Sequence, residues 1–216
     1  MTPLDRAPAF DAAERVYRIT LSPRQQDRLQ KIRDAVGNGP EFQEALEFLN
    51  AAPRPLGATN LAALIRLPFE RRPFRPTRFS NGDHGVLYTA LQPETAGQEY
   101  GHWAPIVFGV GMGIPFRVRL HLISCRFAGQ VKDLRPHLAA FPWLIADKDY
   151  AACQRLGAAA KAAGLAGLLA PSARHQNGTT VPILAPGSVS QPRQEREAVY
   201  LIDPTAPGGP IARFAI

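Results

Sequence analysis

Arg78, Tyr88 and Glu99 bring a guanidinium, a phenol and a carboxylate into one short stretch of the chain, and Ser172 follows much later. Arg78 enters from the loop before a strand-like run and Tyr88 sits within that run. Glu99 lies on the helix-like segment after it, one turn beyond the small residues Thr95 and Ala96. A strand and the helix that follows it pack together, so the polar groups meet where separate elements converge rather than along one exposed face. Spacing alone leaves two readings open. Either Tyr88 is a core aromatic and Arg78 and Glu99 a buried ion pair, or the three side chains form a site that acts on a ligand.

Other constellations carry less. Ser172 and His175 have the types of a nucleophile and its base, but no Gly-x-Ser-x-Gly elbow surrounds the serine, and a serine after Ala170-Pro171 suits a turn or cap. Gly109-Val110-Gly111-Met112-Gly113 after Ile106-Val107-Phe108 has the glycines of a dinucleotide fingerprint. That motif needs a helix N-terminus directly after them, whereas Ile114-Pro115 leads into a strand. His84, His102, His121, His137 and His175 show no spacing that converges on zinc, and no metal is expected. Cys125, in a strand-like run, and Cys153, in a helix-like run, read as small buried apolar residues.

The elements that would position these residues are short. Val16 to Thr20 reads as a strand, and Ser22-Pro23 opens a helix to about Val36, stopped by Gly37-Asn38-Gly39-Pro40. A second helix covers Glu41 to Leu49, with Phe42, Leu46 and Leu49 at helical spacing, before Pro53-Arg54-Pro55. Leu61 to Leu67 is a short helix, Gly85 to Leu91 a strand bounded by Asn81-Gly82, and Pro93 to Tyr100 a helix. Phe116 to Ile123 alternates apolar with Arg117, Arg119 and His121, the pattern of a half-buried strand on a sheet rim. Asp149 to Ala163 is an alanine-rich helix ended by Gly164. Gly167 to Ala170, Thr179 to Leu184 and Ala198 to Ile202 are strands, the second expected at an edge because Pro182 cannot donate to a ladder.

Clustered rather than strictly alternating helices and strands indicate an α+β fold. Of the 216 residues, 20% are charged and 45% apolar, a globular composition, and 18 Gly with 21 Pro imply many loops. The mostly apolar run from Trp103 to Phe116 is too broken and too short to span a bilayer, and the first residues lack the pattern of a secretory signal, so a cytoplasmic protein without membrane contact is expected. The net charge of +7 attracts polyanions, which keeps a nucleic-acid-binding or RNA-cleaving protein as a rival reading. Its densest cluster is Arg71, Arg72, Arg75 and Arg78, of which the first three read as solvated loop.

From Gly57 to Asp203 the chain resembles the RES domain, a toxin family of bacterial toxin-antitoxin systems. The resemblance rests on Arg78-Phe79, Gly85-Val86-Leu87-Tyr88-Thr89-Ala90, Glu94-Thr95-Ala96 with Glu99, Asp149-Tyr150, Gly167-Leu168-Leu169 and Pro171-Ser172-Ala173-Arg174. Tyr17-Arg18 is similar to the arginine that opens such domains. The resemblance implies an ADP-ribosyltransferase-like fold, with small, mostly antiparallel sheets forming an NAD cleft flanked by helices. Pro53-Arg54-Pro55 sets a boundary after an N-terminal helical segment, residues 1–55, within the same compact unit, and the resemblance makes residues 56–216 an NAD-binding catalytic domain. It implies cleavage of NAD, as substrate, at the nicotinamide-ribose bond, with protein ADP-ribosylation as the alternative. It also implies an Xre-type helix-turn-helix antitoxin as partner, with DNA reached only through that antitoxin. In this frame Glu99 stabilises the positive charge that develops on the ribose, Arg78 holds pyrophosphate or ribose, Tyr88 stacks on nicotinamide, Ser172 bonds the amide or positions Glu99, and Arg18 contacts phosphate or ribose. The N-terminal segment is a candidate cover for the basic loop or contact in a homodimer.

Overall fold

The computed structural model of the chain describes residues 2–21, 31–37, 41, 42, 44, 57–108, 116–203 and 211–215. Its strands are β1 (Ala9–Thr20), β2 (Leu87–Ala90), β3 (Phe116–Asp133), β4 (Gly167–Pro171), β5 (Thr179–Ile183), β6 (Val189–Asp203) and β7 (Ile211–Ala215). They form one sheet in the order β1-β2-β5-β4-β3-β6-β7, and β1 also pairs with β3. That extra pairing closes β1, β2, β5, β4 and β3 into a small barrel, with β6 and β7 continuing outward from β3. Among the described strands only β3 and β4 run parallel.

The expected small, mostly antiparallel sheets are instead one mostly antiparallel sheet that closes on itself. The physical cause is the length of β3, 18 residues, which outruns any one neighbour. It pairs with β1 from His121 to Lys132, with β6 from Phe116 to Phe127, and with β4 at Val131 to Asp133. The rim position expected for this strand is wrong for the same reason. Leu120, His121, Leu122 and Ile123 are all buried, because both edges and both faces are covered.

Thr179 to Ile183 is likewise not an edge strand, since β5 lies between β2 and β4. Pro182 faces Tyr88 on β2, while the β4 ladder has partners at Gly167/Ile183 and Ala170/Thr180 but none at Leu168 or Leu169. The gap lies where a proline has no N–H to give. Val16–Thr20 extends back to Ala9, and Ala198–Ile202 back to Val189.

Every ring strand contributes to one core cluster: Val16 from β1, Leu87 from β2, Ile123, Cys125 and Phe127 from β3, Leu169 from β4, and Val181 and Ile183 from β5. Leu64 and Ile65 join it from a helix at Ala58–Glu70, the expected Leu61–Leu67 helix with about a turn added at each end. A second cluster sets Leu168 and Ala170 on the opposite face of β4 against Cys153, Leu156 and Ala160 of a helix at Ala151–Ala162. With both faces covered, all five residues of β4 are buried, as its unbroken apolar run implies. Both cysteines are free and buried, and burial pushes each thiol up to about 11, so they act as apolar filling.

In chain order, α1 is Pro3–Arg6, α2 Ala58–Glu70, α3 Pro93–Phe108 and α4 Ala151–Ala162. Helix α3 runs beyond the expected end at Tyr100, so Ile106–Phe108 is helical and the strand a dinucleotide fingerprint requires is not there. Residues 31–36, 41, 42 and 44 are helical and Phe42 is buried. The rest of the two expected N-terminal helices, the boundary at Pro55 and the glycines from 109 to 113 lie outside the described residues. No helix among the described residues is long and apolar enough to cross a membrane.

His121 makes a prediction about pH. It lies between Thr20 of β1 and Glu197 of β6, and burial lowers its pKa below the ordinary 6.5, opposed by the Glu197 carboxylate. The unfolded chain therefore takes up this proton more readily than the folded one. The contribution is complete above the unfolded value and is lost as pH falls through the lowered folded value. The melting temperature is expected to drop on acidification below 6.5, and His121→Gln to flatten that drop. Parallel pH profiles for the two proteins would remove the assignment.

Candidate active site

The turn that carries Arg78 is held from three directions. Thr77 N–H donates to the Ser80 carbonyl at 2.7 Å and closes the turn. Gln154 of α4 donates its Nε2 to the Thr77 carbonyl at 2.9 Å. From β2, the Tyr88 hydroxyl donates to Thr77 Oγ1 and accepts from the Phe79 N–H, both at 2.8 Å. Burial pushes the Tyr88 phenol up to about 12, so it remains protonated and able to make both bonds. Phe79 is wholly buried in the cluster between β4 and α4, and it anchors the residue next to Arg78.

Glu99 reaches the same place from α3. Its Oε1 accepts from the Ser172 hydroxyl at 2.5 Å and from the Ala173 N–H at 3.2 Å. Its Oε2 stands 3.9 Å from Arg78 Nη2. Ser172 Oγ in turn accepts the N–H groups of Arg174 and His175 at 3.1 and 3.0 Å, which leaves its proton for the carboxylate. The turn after β4 thus fixes the serine, and the serine and Ala173 fix one carboxylate oxygen. The other oxygen stands beside the guanidinium.

A cavity of about 80 Å³ is lined by Thr77, Arg78, Tyr88, Glu99, Tyr150, Arg174 and Thr180. Arg78 is only 7% exposed and makes no hydrogen bond to a described residue. A buried cation held 3.9 Å from its carboxylate, with its donors unspent, is arranged to receive an anion.

Of the residues singled out in the sequence, Arg78, Tyr88, Glu99 and Ser172 meet here. Arg18 does not line this cavity. It lies in a larger adjoining cleft, with Arg71, Arg72 and Arg75, and the two spaces share Thr77. Arg71, Arg72 and Arg75 are exposed, as a solvated loop should be. His175 reaches Ser172 through its backbone, while its ring nitrogen Nδ1 is bonded to Thr95 Oγ1 at 2.8 Å, so serine and imidazole do not form a nucleophile and base.

Arg174 and Tyr150 also line the cavity and were not picked out for it, although both stand in the segments that carried the resemblance. Arg174 is held by an ion pair with Asp147 and by His102 Nε2 at 3.0 Å. Burial, and then the Arg174 cation, lower the His102 pKa, so its imidazole is neutral and accepts from the guanidinium. Among the described residues no group of three or more His, Cys, Asp and Glu side chains is placed to hold a metal.

Because the Tyr88 hydroxyl is spent on the Arg78 turn, Tyr88→Phe keeps the ring in the cavity but frees Thr77 Oγ1 and the Phe79 N–H. The expected result is a KM for the substrate raised about three- to tenfold with kcat changed less, since two net hydrogen bonds of about 1 kcal/mol each are lost from the support of Arg78. Steady-state kinetics on the purified variant checks it. A fall in kcat alone would place the hydroxyl in the chemical step instead.

This pocket belongs to a recognised class of domain. Residues 58–203 match the RES domain, and the chain belongs to the RES domain family. Among solved structures it is similar, loosely, to the M. tuberculosis MbcT-MbcA toxin-antitoxin complex, with 19% identity over 89% of each chain and a TM-score of 0.44. No curated protein matches the chain.

Proposed function

We propose that this RES-family protein is a bacterial toxin that consumes NAD by cleaving the nicotinamide-ribose bond, as a glycohydrolase or phosphorylase. We also propose that a cognate Xre-type helix-turn-helix antitoxin neutralises it, and that it contacts DNA only through that antitoxin. The observation that carries the catalytic reading is Glu99, a residue of the cavity wall, with Oε1 fixed by Ser172 and Ala173 at 2.5 and 3.2 Å and Oε2 beside Arg78.

Departure of nicotinamide leaves positive charge on the ribose. A carboxylate already oriented at that point stabilises the oxocarbenium-like transition state without reorganising, and its free oxygen accepts from a ribose hydroxyl. Arg78 supplies a guanidinium that stays charged when buried and pairs with the pyrophosphate. The Tyr88 and Tyr150 rings form the wall on which the nicotinamide ring packs. Ser172 acts through Glu99, by positioning it.

The test is incubation of the purified protein with NAD while free nicotinamide is followed. Free ADP-ribose, its 1-phosphate in phosphate buffer, or ADP-ribose attached to lysate protein then separates hydrolysis, phosphorolysis and the alternative of protein ADP-ribosylation. Expression in bacteria is expected to slow growth and lower cellular NAD, with Arg78→Ala relieving both. No nicotinamide above the buffer level, with no lysate protein modified, would defeat the proposal. Strong salt-dependent binding of RNA by such an inactive protein would favour the nucleic-acid reading of its basic charge.

A further inference from the structure

The cleft beside the active site, about 580 Å³, is unusually rich in one charge. Arg18, Arg33, Arg71, Arg72 and Arg75 line it, and no Asp or Glu is among its described lining residues. Arg18 Nε and His84 Nε2, both on lining residues, are buried without a hydrogen-bond partner. His84 is 6% exposed and its other ring nitrogen is tied to Asp83. Arg18, Arg72 and Arg75 on one concave surface focus a positive potential there, which a bound anion relieves.

The position of the cleft restricts what that anion is. Thr77 lines both spaces, its neighbour Arg78 lines the inner cavity, and along α3 Glu99 lines the inner cavity while Tyr100 lines the cleft. A ligand whose reacting sugar lies at Glu99 would reach the arginines by way of Thr77, the residue both spaces share. In Rossmann sites a carboxylate bonds the hydroxyls of an unphosphorylated adenosine ribose and an arginine accommodates a 2′-phosphate, and the same charge preference acts in any fold. The described lining offers only the second kind of group.

We infer that the arginine cleft seats the adenosine half of the dinucleotide and admits a 2′-phosphate on its ribose, so that NADP is a substrate and is preferred to NAD. The inference rests on the NAD-cleaving reading above. It assigns to Arg72 and Arg75, on the exposed loop, a role in choosing between substrates rather than in cleavage.

The experiment compares nicotinamide release from NAD, NADP and nicotinamide mononucleotide, which has the same scissile bond but no adenosine half. Wild type is set beside Arg72→Ala/Arg75→Ala. The expected result is a kcat/KM for NADP about tenfold above that for NAD, falling to near parity in the double variant, with the mononucleotide cleaved equally by both proteins. NAD cleaved as well as NADP by wild type, or a ratio unmoved by the double variant, overturns the inference and leaves the NAD reading standing. Should no nicotinamide be released from any of the three, that reading fails and calorimetry decides the cleft. Adenosine 2′,5′-bisphosphate binding tighter than 5′-AMP, with the difference lost in the double variant, sustains the phosphate-selective cleft. Equal affinities overturn it.

Discussion

Glutamine in place of Glu99 is expected to lower nicotinamide release by about 10²- to 10³-fold, the usual loss for a fixed electrostatic stabiliser of a transition state. The replacement keeps the shape of the side chain, and its carbonyl oxygen still accepts from the Ser172 hydroxyl and the Ala173 N–H that now hold Oε1. What it removes is the negative charge beside the ribose and the partner of Arg78 at 3.9 Å. Binding is expected to suffer much less than kcat, because the charge it opposes develops only as the bond breaks. The measurement is kcat and KM for NAD, with a melting curve to show that the variant is folded. Release within about threefold of wild type from a folded variant would take Glu99 out of the chemistry. Ser172→Ala should cost less, since Ala173 still holds the same oxygen.

The second large effect comes from a residue with no side chain. Gly157 lies in α4 against the Arg78 turn, where an added Cβ would stand 2.0 Å from the Phe79 carbonyl oxygen and 2.8 Å from its carbon. In an unobstructed helix, alanine for glycine gains up to about 1 kcal/mol. Here the backbone of Phe79 has to move, and overpacking of this kind costs about 1–3 kcal/mol. The expected sign is therefore destabilising, and the displaced backbone adjoins Arg78. A shift of about 1 Å in a positioning group is worth on the order of a hundredfold in rate. Gly157→Ala is expected to lower both the melting temperature and kcat/KM. A more stable and fully active variant would mean that α4 does not position the turn.

The second effect could not have been weighed from the chain alone. Gly157 sits in an alanine-rich helix where a glycine reads as a mild weakness, and its contact with Phe79 exists only once α4 is laid across β4. Arg18 shows the same limit. Its place on β1 was visible in outline, but which space it lines depends on β1 closing the barrel against both β2 and β3.

Local order was legible where a local cause produces it. The apolar run Gly167–Ala170, the alanine-rich helix and the strand through Tyr88 followed from periodicity and from glycine and proline punctuation, which act over a few residues. So did the loop, strand and helix that carry Arg78, Tyr88 and Glu99, because consecutive elements of that kind pack together. Periodicity states which face of a strand is covered but not which strand lies beside it. That choice is made by long-range packing, and it overturned the rim position of β3 and the edge position of β5. The same packing brings the Ser172 hydroxyl to 2.5 Å from Glu99, across 73 residues of chain, and so orients the carboxylate. The residue types of the site were written locally, whereas the direction in which each one points was set by the closed sheet.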